Sequence, residues 1–459
     1  MPNVKIKKTK ASSSPSPKPR AEPKKAPASE MADKTAREGF ISPPPTDGIN
    51  AAERAQAFIK MMNASPKYRG KVQVRSAKEY KTPYFLRRPT GILGLDLALG
   101  GGFPAGGASQ VFGARSSGKT HMCFCVAGQI QKNYGDEAII ALGISELRGD
   151  IGFMRMSGFC VAYSEQQIQE YENIRVSNGL PPFTKEERAD LSYQIGEVIF
   201  LGGSTGGDML ESTLEVADQL GSRCQLMIVD SLGSLLTPEQ DEKSVSDKHY
   251  GGSSGIITLW QTKMGPKFIN DLPDGSLLET TILGINQVRA MIGGPVPNAT
   301  RPAAGAKSWE HAQLVNVEFK QGEPLWKDTK HSELSGRIVK WGIKKGKAGT
   351  HDGAKGEFNW YFFKQGGEDV HDPVFWKDVA NGAIVGGADK ITDLVEVAKA
   401  TGIIEIGGAW RTVKDQDGKI IVRAQGDEAL AEKVVNDPEL EAMLRDGCLR
   451  ASGLSIRCR

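Results

Sequence analysis

The stretch Gly113-Ala114-Arg115-Ser116-Ser117-Gly118-Lys119-Thr120 decides how the rest of the chain is read. It is a complete G-x-x-x-x-G-K-[ST] phosphate loop. The residues before it, Ala108-Ser109-Gln110-Val111-Phe112, are strand-like, and a helix-compatible run over 121–132 follows. In that setting the loop's backbone N–H groups converge on a nucleoside polyphosphate, and the next helix adds the positive end of its dipole. All eight loop residues are therefore candidates for binding ATP or GTP. Lys119 is expected to reach the β/γ-phosphates, and the Thr120 hydroxyl to ligate Mg²⁺. A glycine-serine turn with a chance lysine is the bland alternative, and it does not account for the strand before and the helix after.

Working outward, short apolar runs at 138–142, 198–202, 225–230 and 281–287 read as buried strands, with helical segments such as 207–220 between them. This alternation predicts a doubly wound, mostly parallel α/β core with its ligand at the C-terminal strand edge. Polar residues at strand ends are then site candidates as a group. Asp230 closes Gln225-Leu226-Met227-Ile228-Val229 and fits a holder of Mg²⁺. Glu146, past the strand that follows the loop helix, is placed to orient or deprotonate an attacking water. Glu165 after Val161-Ala162-Tyr163-Ser164 is its rival. Gln287 at another strand tip can hydrogen-bond a γ-phosphate; a strand-end amide is the plain reading.

With 459 residues there is room for more than one domain. The apolar fraction of 39% and charged fraction of 25% suit a globular protein with some disorder. A net charge of +3 gives no overall basic footprint, so any nucleic-acid surface must be local. Six scattered cysteines show neither zinc-ligand nor redox-motif spacing, and Cys123 and Cys125 are expected to pack. No apolar run is long enough to span a bilayer, so no membrane partner and a cytoplasmic setting are expected.

Residues 1–50 are rich in Lys, Pro, Ser and Ala and read as a disordered basic tail, either drawn to DNA or simply solubilising. Ala55, Phe58, Ile59 and Met62 then recur at helical spacing over 51–64. That short amphipathic helix needs a partner, in its own core or in a neighbouring subunit.

Several longer runs carry a family resemblance. Pro89-Thr90-Gly91-Ile92-Leu93-Gly94-Leu95-Asp96, continuing through Gly100-Gly101-Gly102 into the phosphate loop, resembles the start of a RecA-family ATPase. Asp230-Ser231-Leu232-Gly233-Ser234-Leu235 resembles that family's segment after its Mg²⁺-holding strand. Ile285-Asn286-Gln287-Val288-Arg289 resembles its sensor glutamine and the start of its second DNA-binding loop. Glu146-Leu147-Arg148-Gly149-Asp150 sits where the family has its catalytic glutamate, with an acid four residues on. Gly408-Ala409-Trp410 resembles its small C-terminal domain. The likeness spans roughly residues 50–450, and the chain resembles a divergent homologous recombinase of bacterial or phage type.

The resemblance implies further roles. The first DNA-binding loop would be 239–256, where Asp247-Lys248-His249-Tyr250 supplies His249 and an aromatic base contact, Tyr250. The second would be 288–306, with Arg289 for phosphate and Ile292 for insertion between bases. Its expected Gly-Gly-Asn end is replaced by Ala304-Gly305-Ala306. Two lysines that read a neighbour's ATP would be Lys345 and Lys347, with Lys344 open. Asp150 would join the nucleotide site, and Phe362 either stacks near adenine or belongs to the core. Residues 163–187 are an extra polar segment of unassigned purpose.

The domains implied are the tail (1–50), a helix and subunit-docking segment (51–86), a RecA-like core with two DNA loops (87–365) and a small α/β domain (366–459). The function implied is a DNA-dependent ATPase using ATP and Mg²⁺. It would form a helical homo-oligomeric filament on single-stranded DNA and pair it with homologous double-stranded DNA. A ring-forming motor of the same core class, or a nucleotide-binding DNA-coating mediator, are the other readings.

Overall fold

The computed structural model describes residues 50–66, 74–76, 78, 86–145, 150–235, 252–269, 277–290, 300–302, 307–326, 330, 334–362, 387–415 and 417–454. Of residues 252, 253, 289, 290, 300, 301, 307 and 308 only the backbone is described. The chain divides into two units, 1–80 and 81–459.

In the first unit the helix Ala51–Ala64 forms as its periodicity predicts. A capping box starts it: Asn50 Oδ1 accepts from the Glu53 N–H at 2.9 Å, and Glu53 Oε2 accepts from the Asn50 N–H at 3.2 Å. None of its residues is buried, and Phe58 and Met61 are more than half exposed.

The second unit is organised by a ten-stranded sheet. In chain order the strands are β1 (Arg87–Arg88), β2 (Phe103–Pro104), β3 (Gly107–Gly113), β4 (Ile139–Ile144), β5 (Glu197–Leu201), β6 (Leu226–Asp230), β7 (Thr281–Ala290), β8 (Thr300–Pro302), β9 (Val315–Trp326), β10 (Leu334–Gly346), β11 (Lys355–Tyr361) and β12 (Gly387–Ala388). β1 and β2 form a separate antiparallel pair. The large sheet runs β12-β11-β10-β9-β3-β7-β6-β4-β5, with β8 attached to β7. From β9 to β5 all neighbours are parallel; β10, β11 and β12 extend the sheet antiparallel. The expected doubly wound, mostly parallel α/β core is what the chain forms.

Burial explains the continuous apolar runs. Leu226, Met227, Ile228 and Val229 are all buried, because helices cover both sheet faces. On one face lies the helix Lys119–Tyr134, whose Met122, Phe124, Val126 and Ile130 enter the main core with Val111, Leu142 and Ile228. Each such side chain contributes about 1.5–3 kcal/mol by leaving water. Cys123 and Cys125 are packed there, and burial pushes both thiols up. The other face carries the helices Gly206–Gln219 and Gly252–Ile269 around Met209, Met227, Ile257 and Trp260.

Two expectations need correction, and the polar segment 163–187, whose purpose the sequence leaves unassigned, is folded. It forms the helices Glu165–Ser177 and Lys185–Leu191 around a core of Tyr163, Ile168, Phe183 and Leu191, with Arg188 paired to Glu172 at 2.7 Å. The first loop, expected over 239–256, overlaps a helix that already begins at Gly252. The second, expected from residue 288, starts within β7, which runs to Ala290 because β8 pairs with it at Val288, Arg289 and Ala290.

The strands β13 (Ile404–Gly407), β14 (Trp410–Lys414) and β15 (Ile420–Gln425) form a three-stranded antiparallel sheet. The helices Lys390–Ala400, Asp427–Val435 and Pro438–Ala451 pack on it through Leu394, Val413, Leu430 and Leu444. Leu93 of the core enters this small cluster, and Gly94 N–H donates to Asp393 Oδ2 at 3.1 Å. β12, inside the 366–459 segment, is an edge strand of the large sheet. Among the described residues no helix is long and apolar enough to cross a membrane.

Candidate nucleotide site

β3 ends at Gly113, where a side chain has no room: a Cβ there would lie 2.1 Å from the Phe319 carbonyl of β9. Gly118 closes the loop with φ +87°, a left-handed turn that glycine adopts without penalty, and the helix begins at Lys119. Among the described residues the backbone N–H groups of 114–118 make no hydrogen bond. Ser117 Oγ is buried and has no partner there either. A row of unspent donors at a helix N-terminus is what a polyphosphate satisfies. Lys119 is 8% exposed, and its ammonium donates to the Ala114 carbonyl at 2.6 Å, holding the cation over the loop.

Thr120 Oγ1 donates to Asp230 Oδ2 at 2.9 Å, joining residues 110 positions apart. These two oxygens would be the protein's share of an Mg²⁺ site. That suits an ion that keeps most of its waters and takes the rest of its ligands from phosphate. ATP and Mg²⁺ thus fit the residues present.

Sheet register sets the surrounding positions. Gln287 pairs with Gly113, so it lies beside the first residue of the phosphate loop and is exposed. Ile144 pairs with Asp230, and Ser145 N–H donates to the Asp230 carbonyl at 2.7 Å. The strand leading to Glu146 is thereby fixed to the Asp230 strand, although Glu146 itself lies outside the described residues. The rival Glu165 starts the helix Glu165–Ser177 and pairs with Arg188 at 3.5 Å.

Two supports escaped the sequence reading. Gln321 of β9 donates from one amide nitrogen to the carbonyls of Arg115 (3.0 Å) and Ser116 (3.1 Å), while Arg337 of β10 donates to its Oε1 at 2.8 Å. This brace turns the loop's carbonyls toward β9. Behind the loop, Asn286 and Trp309 both donate to Gln110 Oε1, and Gln110 donates to Asn316. That buried amide chain ties β7, β3 and β9 together beneath Gln287. Neither support lies in a motif, so spacing alone carried no signal of them.

The remaining candidates lie further along the sheet. Lys345 donates to the carbonyls of Glu310 and His311, and Lys347 to that of His311 at 2.9 Å, at the C-terminal end of the helix Lys307–Ala312. Lys344 instead pairs with the buried Glu318 at 2.9 Å. Strand alternation separates Lys344 from the other two. Burial, with Lys347 next, pushes the Lys345 ammonium down. Asp150 caps the helix Ile151–Met156, accepting from Phe153 N–H at 3.2 Å. Phe362 follows β11, half-buried, with its ring 5.1 Å from Trp360. Arg289 is placed on β7 by its backbone, whereas His249, Tyr250 and Ile292 lie outside the described residues.

Comparison with known proteins agrees with this geometry. The model of the RecA N-terminal domain matches residues 60–147. Protein RecA of Thermus aquaticus is 26% identical over 361 residues, covering 78% of this chain and 83% of that protein. Protein RecA of Thermus thermophilus is 24% identical over 369 residues, covering 80% and 85%. Protein RecA of Fusobacterium nucleatum is 26% identical over 371 residues, covering 78% and 74%. The phosphate loop, the Thr120–Asp230 pair, the strand carrying Gln287 between them and these relatives converge: the chain is similar to RecA proteins over about four-fifths of its length, at a divergent level of identity.

Proposed function

We propose that this protein is an ATP-dependent DNA recombinase, a filament-forming ATPase that coats single-stranded DNA and pairs it with a homologous duplex. The observation that carries the reading is the site itself. An open N–H cradle and Lys119 lie on one side, the Thr120–Asp230 pair lies on the other, and Gln287 stands in register with the cradle. Bound Mg²⁺ would neutralise charge on the transferring phosphoryl group. The chain's own residues do the rest. The N–H groups of 114–118 and Lys119 hold the phosphates, and Glu146 takes the proton of the attacking water. Gln287 makes the presence of a γ-phosphate felt along β7, toward Arg289. Lys345 and Lys347 serve a neighbouring subunit's site, where positive charge supplied in trans stabilises the developing charge. DNA is held by its backbone and by stacking, so homology is read by base pairing between strands.

The test is electron microscopy with single-stranded DNA and a non-hydrolysable ATP analogue, beside ATP turnover with and without DNA. Helical filaments whose length follows the DNA, and DNA-stimulated turnover lost in Lys119→Ala, are expected. Closed rings that unwind duplexes would make the protein a motor instead. Filaments with negligible turnover would make it a coating mediator. Near-normal turnover in folded Lys119→Ala would overturn the site assignment.

A further inference from the structure

Two side chains outside the phosphate loop fix which way its peptides point. Gln321 Nε2 donates to the carbonyls of Arg115 at 3.0 Å and Ser116 at 3.1 Å. In a planar trans peptide the C=O and the next N–H point in opposite directions. Drawing these two carbonyls toward β9 therefore turns the N–H groups of Ser116 and Ser117 away from it, where they stay free to donate. Ser116 holds φ +57°, so backbone preference alone does not keep the loop in this shape.

An amide can present either of its polar atoms to the loop, and Arg337 decides which. Its Nη1 donates to Gln321 Oε1 at 2.8 Å. A guanidinium has donors only, so it takes the amide oxygen and leaves the nitrogen for the loop. Reversing the amide would set oxygen against two carbonyls and nitrogen against a cation. The strand pairing serves this contact. Gln321 lies opposite Val339 and Pro324 opposite Arg337, so β9 takes one more residue than β10 over this stretch, a bulge at 322–323. A Cβ on Gly322 would lie 2.9 Å from the Ile338 carbonyl, so the bulge needs that glycine. Bulges re-aim side chains beside functional sites. Here strand alternation keeps Arg337 on the face shared by Val339 and Gln321.

We propose that Gln321 and Arg337 are positioning residues of the nucleotide site. Arg337 orients the Gln321 amide, and that amide presents the Ser116 and Ser117 N–H groups to the α- and β-phosphates of a nucleoside di- or triphosphate. The inference rests on the nucleotide-binding reading above. Loop N–H groups cradle the α/β-phosphates, whereas the loop lysine reaches the γ-phosphate. The brace therefore acts equally on ATP and ADP.

Calorimetric titration of the full chain with ATP and with ADP tests this, beside ATP turnover. Gln321→Glu keeps an acceptor for Arg337 and has no N–H for the carbonyls, so it should bind both nucleotides at least about fivefold more weakly, the worth of a net hydrogen bond. Arg337→Met should weaken both about threefold and add nothing beyond about twofold in a Gln321→Ala background, as for residues acting through one another. Arg337→Lys, which still donates, should recover most of the affinity. KM for ATP should rise with affinity loss while kcat stays within about twofold of wild type, a split that a general loss of structure does not give. Wild-type affinity in Gln321→Glu, a loss confined to ATP, or an equal loss from Arg337→Met in both backgrounds overturns the proposal. If Lys119→Ala still abolishes binding in those cases, the site reading stands without the brace. Wild-type protein that binds neither nucleotide overturns that reading, and this inference with it.

Discussion

Single side chains around the phosphate loop divide into those that would touch nucleotide and those that shape the loop. Lys119 belongs to the first group and already leans on the Ala114 carbonyl, a bond it would exchange for phosphate. Gln321 belongs to the second, one amide group bridging the carbonyls of Arg115 and Ser116. Removing it frees a loop segment in which Ser116 holds φ +57°, a conformation that non-glycine residues rarely adopt. Gln321→Ala should therefore weaken ATP binding about fivefold, the worth of a net hydrogen bond. Titration with a fluorescent nucleotide measures this, and wild-type affinity in the variant would show that the brace is dispensable.

Strand β7 is the element through which the proposed coupling would run. Its alternation places Asn286 in the buried amide chain and leaves Gln287 exposed beside Gly113. It then continues to Arg289 and Ala290, paired with β8. A strand whose C-terminal end carries Gln287 beside the phosphate loop and, two residues on, Arg289 at the start of the expected second DNA loop can couple two ligands. Gln287→Ala should leave basal nucleotide affinity near wild type and erase the difference in DNA affinity between ATP-like and ADP states. Anisotropy of a labelled oligonucleotide in both states reads the ratio; a preserved ratio removes Gln287 from the coupling. Helices obey the same logic of partners: 163–191 carries only widely spaced apolar residues, yet Tyr163, Ile168, Phe183 and Leu191 close into one small core.

Across the whole molecule, two features concern how parts are joined. Lys345 and Lys347 sit on the antiparallel extension of the sheet, spending their charges on carbonyls of the helix Lys307–Ala312. If they complete a neighbour's site, mixing Lys119→Ala protein with a Lys345→Ala/Lys347→Ala double variant should restore part of the turnover that each lacks. No rescue at any ratio between folded, co-assembling variants would confine the site to one subunit. The second joint is Asp393, which fastens the small domain to Gly94 of the core. Burial raises its carboxyl to about 6, outweighing the N–H donors of Gly94 and Leu93 and the charge of Arg445. A raised folded value means that its contribution to stability is fully present below about pH 4, near the unfolded carboxylate value, and is lost as pH rises through about 6. Asp393→Asn removes that titration and should be the more stable form at pH 8, by up to about 3 kcal/mol. Thermal melts of both proteins from pH 4 to 8 check this, and parallel profiles would contradict it.

The sequence by itself determined whatever is written in contiguous residues. The phosphate loop between a strand and a helix, the bounds of the helix Ala51–Ala64, and Asp230 at the end of an apolar strand were all legible, because each depends on local spacing and short-range backbone preference. The order of strands was not. That Gln287 lies beside Gly113, that Ile144 lies beside Asp230 and that Thr120 finds its partner 110 residues away are consequences of sheet pairing. Tertiary structure alone also decided that β7 runs on through Arg289, since β8 supplies its hydrogen bonds. It likewise separated Lys344, drawn to the buried Glu318, from Lys345 and Lys347. The physical reason is the same in each case: a strand's partner is chosen by burial and hydrogen bonding across the whole sheet, and a residue's local pattern specifies only which face it shows, not what it will face.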